Sequence, residues 1–136
     1  MKTALLAFIV IALTSCAKRI SFLPSTVIPS ASGHVKIKGD KNNNYAIKLK
    51  VKDIEKSKEL QPSKKNYVAW VETNEKRAHH LGRVQSSKGL FSGTRKAKLE
   101  AVTAAKPVRV FVTAEDDRTP QYPSEVILTT ELFKVR

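Results

Sequence analysis

The chain contains a single cysteine, Cys16, a single tryptophan and five glycines. With no second thiol an internal disulfide cannot form, so the fold rests on its apolar core rather than on covalent staples. None of the glycines belongs to a phosphate-cradling loop, a dinucleotide fingerprint or a G-x-S-x-G nucleophile turn. No apolar run reaches the roughly twenty residues that a membrane-spanning helix requires. Acidic side chains are scarce: 12 Asp and Glu stand against 25 Lys and Arg, giving a net charge of +13. A domain this basic is drawn to polyanions such as anionic headgroups, phosphorylated glycolipid, acidic polysaccharide or nucleic acid.

The first residues are organised as a leader. Lys2 supplies a positive start, Ala4 to Leu13 is continuously apolar, and small residues follow. That order fits a signal peptide, whose apolar segment is too short to span a bilayer. The run Leu13-Thr14-Ser15-Cys16 resembles the lipobox of bacterial lipoproteins. The resemblance implies cleavage after residue 15 and a lipid-bearing Cys16, with the remainder on the extracytoplasmic side of a membrane. Several acyl chains on one residue anchor stably, whereas a single chain anchors only marginally. Export argues against nucleic acid as a partner. Ala17-Lys18-Arg19 follows the cysteine without an aspartate, which points to the periplasmic face of the outer membrane. Removing residues 1–15 takes away only Lys2 among the charged groups, so the basic excess remains.

Residues 17–32 mix Pro24, Pro29, serines and scattered apolar residues without a period, and read with Cys16 as a tether over 16–32. From Gly33 the pattern alternates. His34-Val35-Lys36-Ile37-Lys38 and Tyr45-Ala46-Ile47-Lys48-Leu49-Lys50-Val51-Lys52 flank the turn-forming Gly39 to Asn44, which predicts a hairpin of two half-buried strands. Further strands are expected at 67–73, 81–84, 107–113 and 125–135, the last with Val126 and Leu128 on one face. Segment 96–102 reads as strand or helical turn, and 53–65, 74–80, 86–95 and 114–124 read as connections, with Leu90 and Phe91 dipping into the core. Short strands at intervals of about ten residues with little helix predict an all-β fold, a small Ig-like sandwich of about seven or eight antiparallel strands over residues 33–136.

Three short segments support that architecture. Tyr67-Val68-Ala69-Trp70-Val71-Glu72, then Leu81-Gly82, then Val112-Thr113-Ala114-Glu115 with Pro120 and Pro123 downstream resemble the C-terminal extracytoplasmic domain of anti-sigma-K-type factors. The resemblance implies a β-sandwich in the cell envelope, brings no catalytic residues, and offers a sensing component of envelope signalling as an alternative role. The sigma-binding domain and transmembrane helix that precede the sandwich in that family are absent from this sequence. Asp116-Asp117-Arg118-Thr119 replaces the family's glycine-rich turn.

The residues offer little for catalysis. His79 and His80 are adjacent, so on a strand they point to opposite faces rather than toward one metal. Glu115, Asp116 and Asp117 lack the alternating ligand spacing of a calcium loop. No Ser/His/Asp order stands out, and Trp70, within an apolar strand, reads as sandwich core rather than as a sugar-stacking platform. The expectation is therefore a non-enzymatic domain with no cofactor and no metal. Its partners would be the membrane, through Cys16, and an envelope protein or anionic polymer; its oligomeric state stays open. One sharper inference comes from the hairpin. If Val35, Ile37, Ile47, Leu49 and Val51 face inward, then Lys36, Lys38, Lys48, Lys50 and Lys52 all face outward on neighbouring strands. Like charges opposed across a ladder are destabilising. Such a face is either a solvated surface, an edge protected against aggregation, or a docking surface for an anionic partner.

Overall fold

The computed structural model describes residues 17–54, 66–86 and 96–135. Within them the chain is all-β, with strands β1 (Lys18–Ser21), β2 (Ser32–Gly39), β3 (Tyr45–Lys52), β4 (Asn66–Thr73), β5 (Ala78–Arg83), β6 (Gln85–Ser86), β7 (Lys96–Thr103), β8 (Pro107–Glu115) and β9 (Glu125–Thr129). They form two antiparallel sheets, ordered β1-β2-β3-β7-β6 and β5-β4-β8-β9. The sheets stack on one core. Val35, Ile37, Ile47, Leu49 and Val51 from the first sheet join Ala69, Val71, Val110, Val112 and Ala114 from the second, all buried.

The alternation in β2 and β3 produces the expected hairpin. Every second side chain of β3 is buried and the others are exposed, because a strand places successive side chains on opposite faces. Its loop is closed by Asp40, whose carboxylate accepts the backbone N–H of Asn42 at 2.7 Å and of Asn44 at 2.9 Å. Asn43 takes the left-handed conformation, with φ 61°, which Asn tolerates better than most residues. These contacts hold the Asp40 carboxyl below its usual range, with the Asn44 bond the largest cause.

Segment 17–32 is not a tether. Lys18–Ser21 is an edge strand paired with β2, Ile20 lying opposite Val35. The chain then crosses to the second sheet. Phe22 N–H donates to Gly33 O, Leu23 N–H to Thr129 O, and the Ser25 hydroxyl to Ile127 O. Phe22, Ile28 and Ala31 are buried in the core. The Ser25 hydroxyl also accepts the Val27 and Ile28 N–H groups, fixing the turn around Pro24 and Pro29. Residues 17–32 thus form a strap from β1 to β9 along one side of the sandwich. On the other side the chain passes directly from β5 in the second sheet to β6 in the first.

Other boundaries also move. The expected loop over 74–80 shortens, because Ala78, His79 and His80 already pair with β4. Segment 96–102 is strand, and β8 runs on to Glu115. Val126 and Leu128 do not share a face: an irregularity places Thr113 opposite Val126 and Val112 opposite Leu128, so Ile127 and Leu128 are both buried while Val126 is exposed. Beyond β9 the chain is not strand, although Thr130 and Phe133 still donate to Val110 O and Val108 O. Leu90 and Phe91 lie outside the described residues.

Candidate polyanion-binding face

Strand register assembles the outward face of the first sheet in rows. Ser32, Lys52 and Lys96 form one row and His34, Lys50 and Lys98 the next. The third row is Arg19, Lys36, Lys48 and Glu100, and the fourth is Lys38, Ala46 and Val102. All the lysines in these rows, with Arg19, are exposed. Glu100 is the one carboxylate at the outward positions of β1, β2, β3 and β7. Neighbouring positions are about 4.8 Å apart across strands and about 6.8 Å apart along them. Both spacings are shorter than the ~8 Å screening length at physiological salt, so these charges act together on an approaching anion.

The five lysines inferred from the hairpin, Lys36, Lys38, Lys48, Lys50 and Lys52, therefore lie on one surface, over a buried layer of Val35, Ile37, Ile47, Leu49 and Val51. Sequence reasoning missed Arg19, His34, Lys96 and Lys98. Arg19 was hidden in the supposed tether. Lys96 and Lys98 sat in an alternation too weak to separate strand from helical turn, though Lys-Ala-Lys-Leu-Glu-Ala is the pattern of a half-buried strand.

His34 lies between cations on three strands. Its pKa is held below the ordinary value, first by burial and then by Arg19, Lys36, Lys50 and Lys52. The Arg19 guanidinium approaches its Nδ1 at 3.4 Å. Beside it the surface dips into a concavity of about 420 Å³, lined by His34, Lys50, Lys52, Lys96 and Lys98, with Gly33, Val51 and Ala97 at its wall. Gly33 is required there: a Cβ would sit 2.2 Å from Lys50 O, far inside contact distance. Lysine ammonium groups only donate, so the arrangement is suited to holding an oxyanion.

The residues quoted for the family resemblance lie on the second sheet and do not meet this face. Trp70 is buried, but on the side of the second sheet away from the main core, in a separate cluster with Val68 and Phe111. Its ring stacks on Phe111 at 6.3 Å between centroids and meets His80 edge-on at 5.5 Å. The Trp70 indole donates to Thr113 Oγ1, which donates to Glu115 Oε1. Tyr67 and Leu81 pack against the main core from partly buried positions. Gly82 sits at an irregularity between β4 and β5 with φ 151°, and a Cβ there would press on Leu99 at 3.1 Å. Pro120 and Pro123 lie in the loop before β9.

His79 and His80 take neighbouring positions opposite Val71 and Trp70, on opposite faces as their adjacency implied. They border an open cleft of about 430 Å³ with Glu75 and the turn at Ala104–Ala105. Among the described residues no three His, Cys, Asp or Glu side chains converge as metal ligands. Glu115 is turned away from Asp116 and Asp117 into its bonds with Thr113 and Ser124. Cys16 and the leader lie outside the described residues. Comparison with protein-family models, curated proteins and solved structures finds no match to this chain.

Proposed function

We propose that this chain is a lipid-anchored accessory domain of the bacterial cell envelope, a binding rather than catalytic module. In this reading it docks on a phosphate-rich anionic surface through the outward face of its first sheet. The observation that carries the proposal is the clustering of Arg19 and the lysines of β2, β3 and β7 in adjacent rows, where Glu100 is the one carboxylate among the described residues at the outward positions of these strands. Opposed like charges on neighbouring strands cost folding stability, and an anionic partner would offset that cost. The lipid on Cys16 would supply membrane residence, and the lysine face would supply orientation and electrostatic adhesion. Each basic residue held near an anionic membrane contributes about 1 kcal/mol, so the face adds substantially to an acyl anchor.

The test is flotation of the protein with vesicles. Binding to anionic vesicles should exceed binding to zwitterionic ones and fall steeply as salt rises. Joint replacement of Lys36, Lys38, Lys48, Lys50 and Lys52 by glutamine should abolish the difference. Equal binding by the replaced protein would reject the docking face. Mass spectrometry of the purified chain and of its Cys16→Ser variant tests the anchor separately.

A further inference from the structure

The concavity at the Gly33 end of the cationic face differs from the rest of that surface. Further along, Lys48 stands opposite Glu100, so a carboxylate dilutes the charge, and the last row ends in Ala46 and Val102. At the concavity two successive rows pair lysine with lysine across β3 and β7: Lys50 faces Lys98, and Lys52 faces Lys96. The four lysines mark the corners of a patch about 5 Å by 7 Å, and His34 lies opposite Lys50 on the adjoining strand. The patch is recessed, with a volume of about 420 Å³, within the ~300–1,000 Å³ of small-ligand sites. The close approach of β2 to β3 at Gly33, where a side chain cannot fit, contributes to its wall.

We infer that this recess is a discrete binding site for a compact, multiply charged oxyanion group, a phosphate monoester or a diphosphate. A phosphate monoester is close to doubly charged at neutral pH. A diphosphate spreads its oxygens over a length comparable to the patch, so ammonium groups from two strands and two rows reach them together. A singly charged phosphodiester uses only part of the set. This inference deepens the docking proposal by naming the group recognised, and it can stand or fall separately from it. His34 takes part as a sensor of occupancy. Around it stand Arg19 on β1, Lys36 on its own strand, and Lys50 and Lys52 on β3, with Lys98 next in its row on β7. Burial and then the charges of Arg19, Lys36, Lys50 and Lys52 disfavour the imidazolium, and an anion in the recess opposes those charges.

The experiment titrates the full chain, held in zwitterionic detergent micelles, with inorganic pyrophosphate, following calorimetry and the His34 imidazole resonances. Saturable one-to-one binding is expected, together with an upward shift of the His34 pKa. Lys50→Gln with Lys98→Gln should weaken pyrophosphate binding about tenfold or more, the scale of a lost charge-assisted hydrogen bond. Lys36→Gln with Lys48→Gln, outside the recess, should weaken it clearly less, since those charges act on the anion only through the screened field and not by hydrogen bonds. Thermal unfolding of both double variants checks that they fold. Absence of saturation, or equal weakening by the two double variants, overturns the recess. If anionic vesicles still bind in that case, the docking face survives; if pyrophosphate saturates while vesicles do not bind, the recess survives alone. Vesicles carrying phosphatidic acid, a phosphomonoester lipid, identify the source of the group. Competition with pyrophosphate that is lost in the Lys50/Lys98 variant supports a headgroup ligand, and saturation by pyrophosphate without such competition supports a free phosphate compound.

Discussion

Trp70 is held to Thr113 across β4 and β8, its indole N–H donating to the threonine hydroxyl at 2.8 Å. That hydroxyl in turn donates a hydrogen bond to Glu115 Oε1 at 2.7 Å, and Ser124 donates to both Glu115 oxygens from its backbone N–H and its hydroxyl. A buried indole, hydroxyl and carboxylate thereby satisfy one another. The chain of bonds also secures the loop before β9. Thr113→Val keeps the shape but leaves the Trp70 N–H without this acceptor and Glu115 without one donor. It should cost about 1–3 kcal/mol in urea unfolding. Thr113→Ser keeps the hydroxyl and should cost clearly less. Equal losses in the two variants would show that packing, not the bond, matters there.

Gly33 permits the close contact between β2 and β3. Gly33→Ala would place a methyl group against Lys50 O, a backbone atom that cannot move without displacing its strand. Overpacking of this kind costs about 1–3 kcal/mol, and thermal denaturation should register it. The same substitution should weaken pyrophosphate binding, because it deforms the wall of the recess. A variant as stable as the parent would contradict the contact.

The strap offers a direct contrast with a tether. Ile28 is 1% exposed, so Ile28→Ala should cost about 2–5 kcal/mol, the range for truncating a buried aliphatic side chain. In a solvated linker the same change would be silent. Chemical denaturation distinguishes the two outcomes.

The pH dependence of stability follows from two groups. His34 has a depressed pKa in the folded protein, so below the ordinary value near 6.5 the unfolded chain binds a proton that the folded chain resists. Stability therefore rises with pH through the window between the folded value and about 6.5, and His34→Gln should flatten that part of the profile. Asp40 is also depressed. Its contribution is present above its unfolded value and is lost as pH falls through the folded one. Asp40→Asn should remove this acid-side loss. Thermal midpoints measured from about pH 2 to about pH 8 cover both windows.

The hairpin was legible in the sequence because its two strands carry an unbroken period of two and its loop concentrates Asp and Asn. The lysine face followed from the same parity. The strap was not legible. Pro24, Pro29 and the serines break any period, and the burial of Phe22, Ile28 and Ala31 arises only when the strap meets Thr129 and Ile127, more than a hundred residues later. Trp70 was legible as buried but not as to side: Val68, Ala69, Trp70 and Val71 are all apolar, so alternation cannot say which pair faces the main core. Lys96 and Lys98 entered the site through pairing with β3, a long-range register that their short segment does not encode.

The strap also changes what an anchor on Cys16 would mean mechanically. The first strand begins at Lys18, and two residues of chain reach at most about 7 Å. A flexible linker of sixteen residues would let the domain wander about 20 Å on average and dilute its encounters with the bilayer. Without that slack, the edge of the first sheet would be confined to a thin layer beside the lipid, where the local concentration of headgroups is high and few orientations remain open. Lengthening the junction with a few glycines would then loosen attachment to the surface without touching a single lysine.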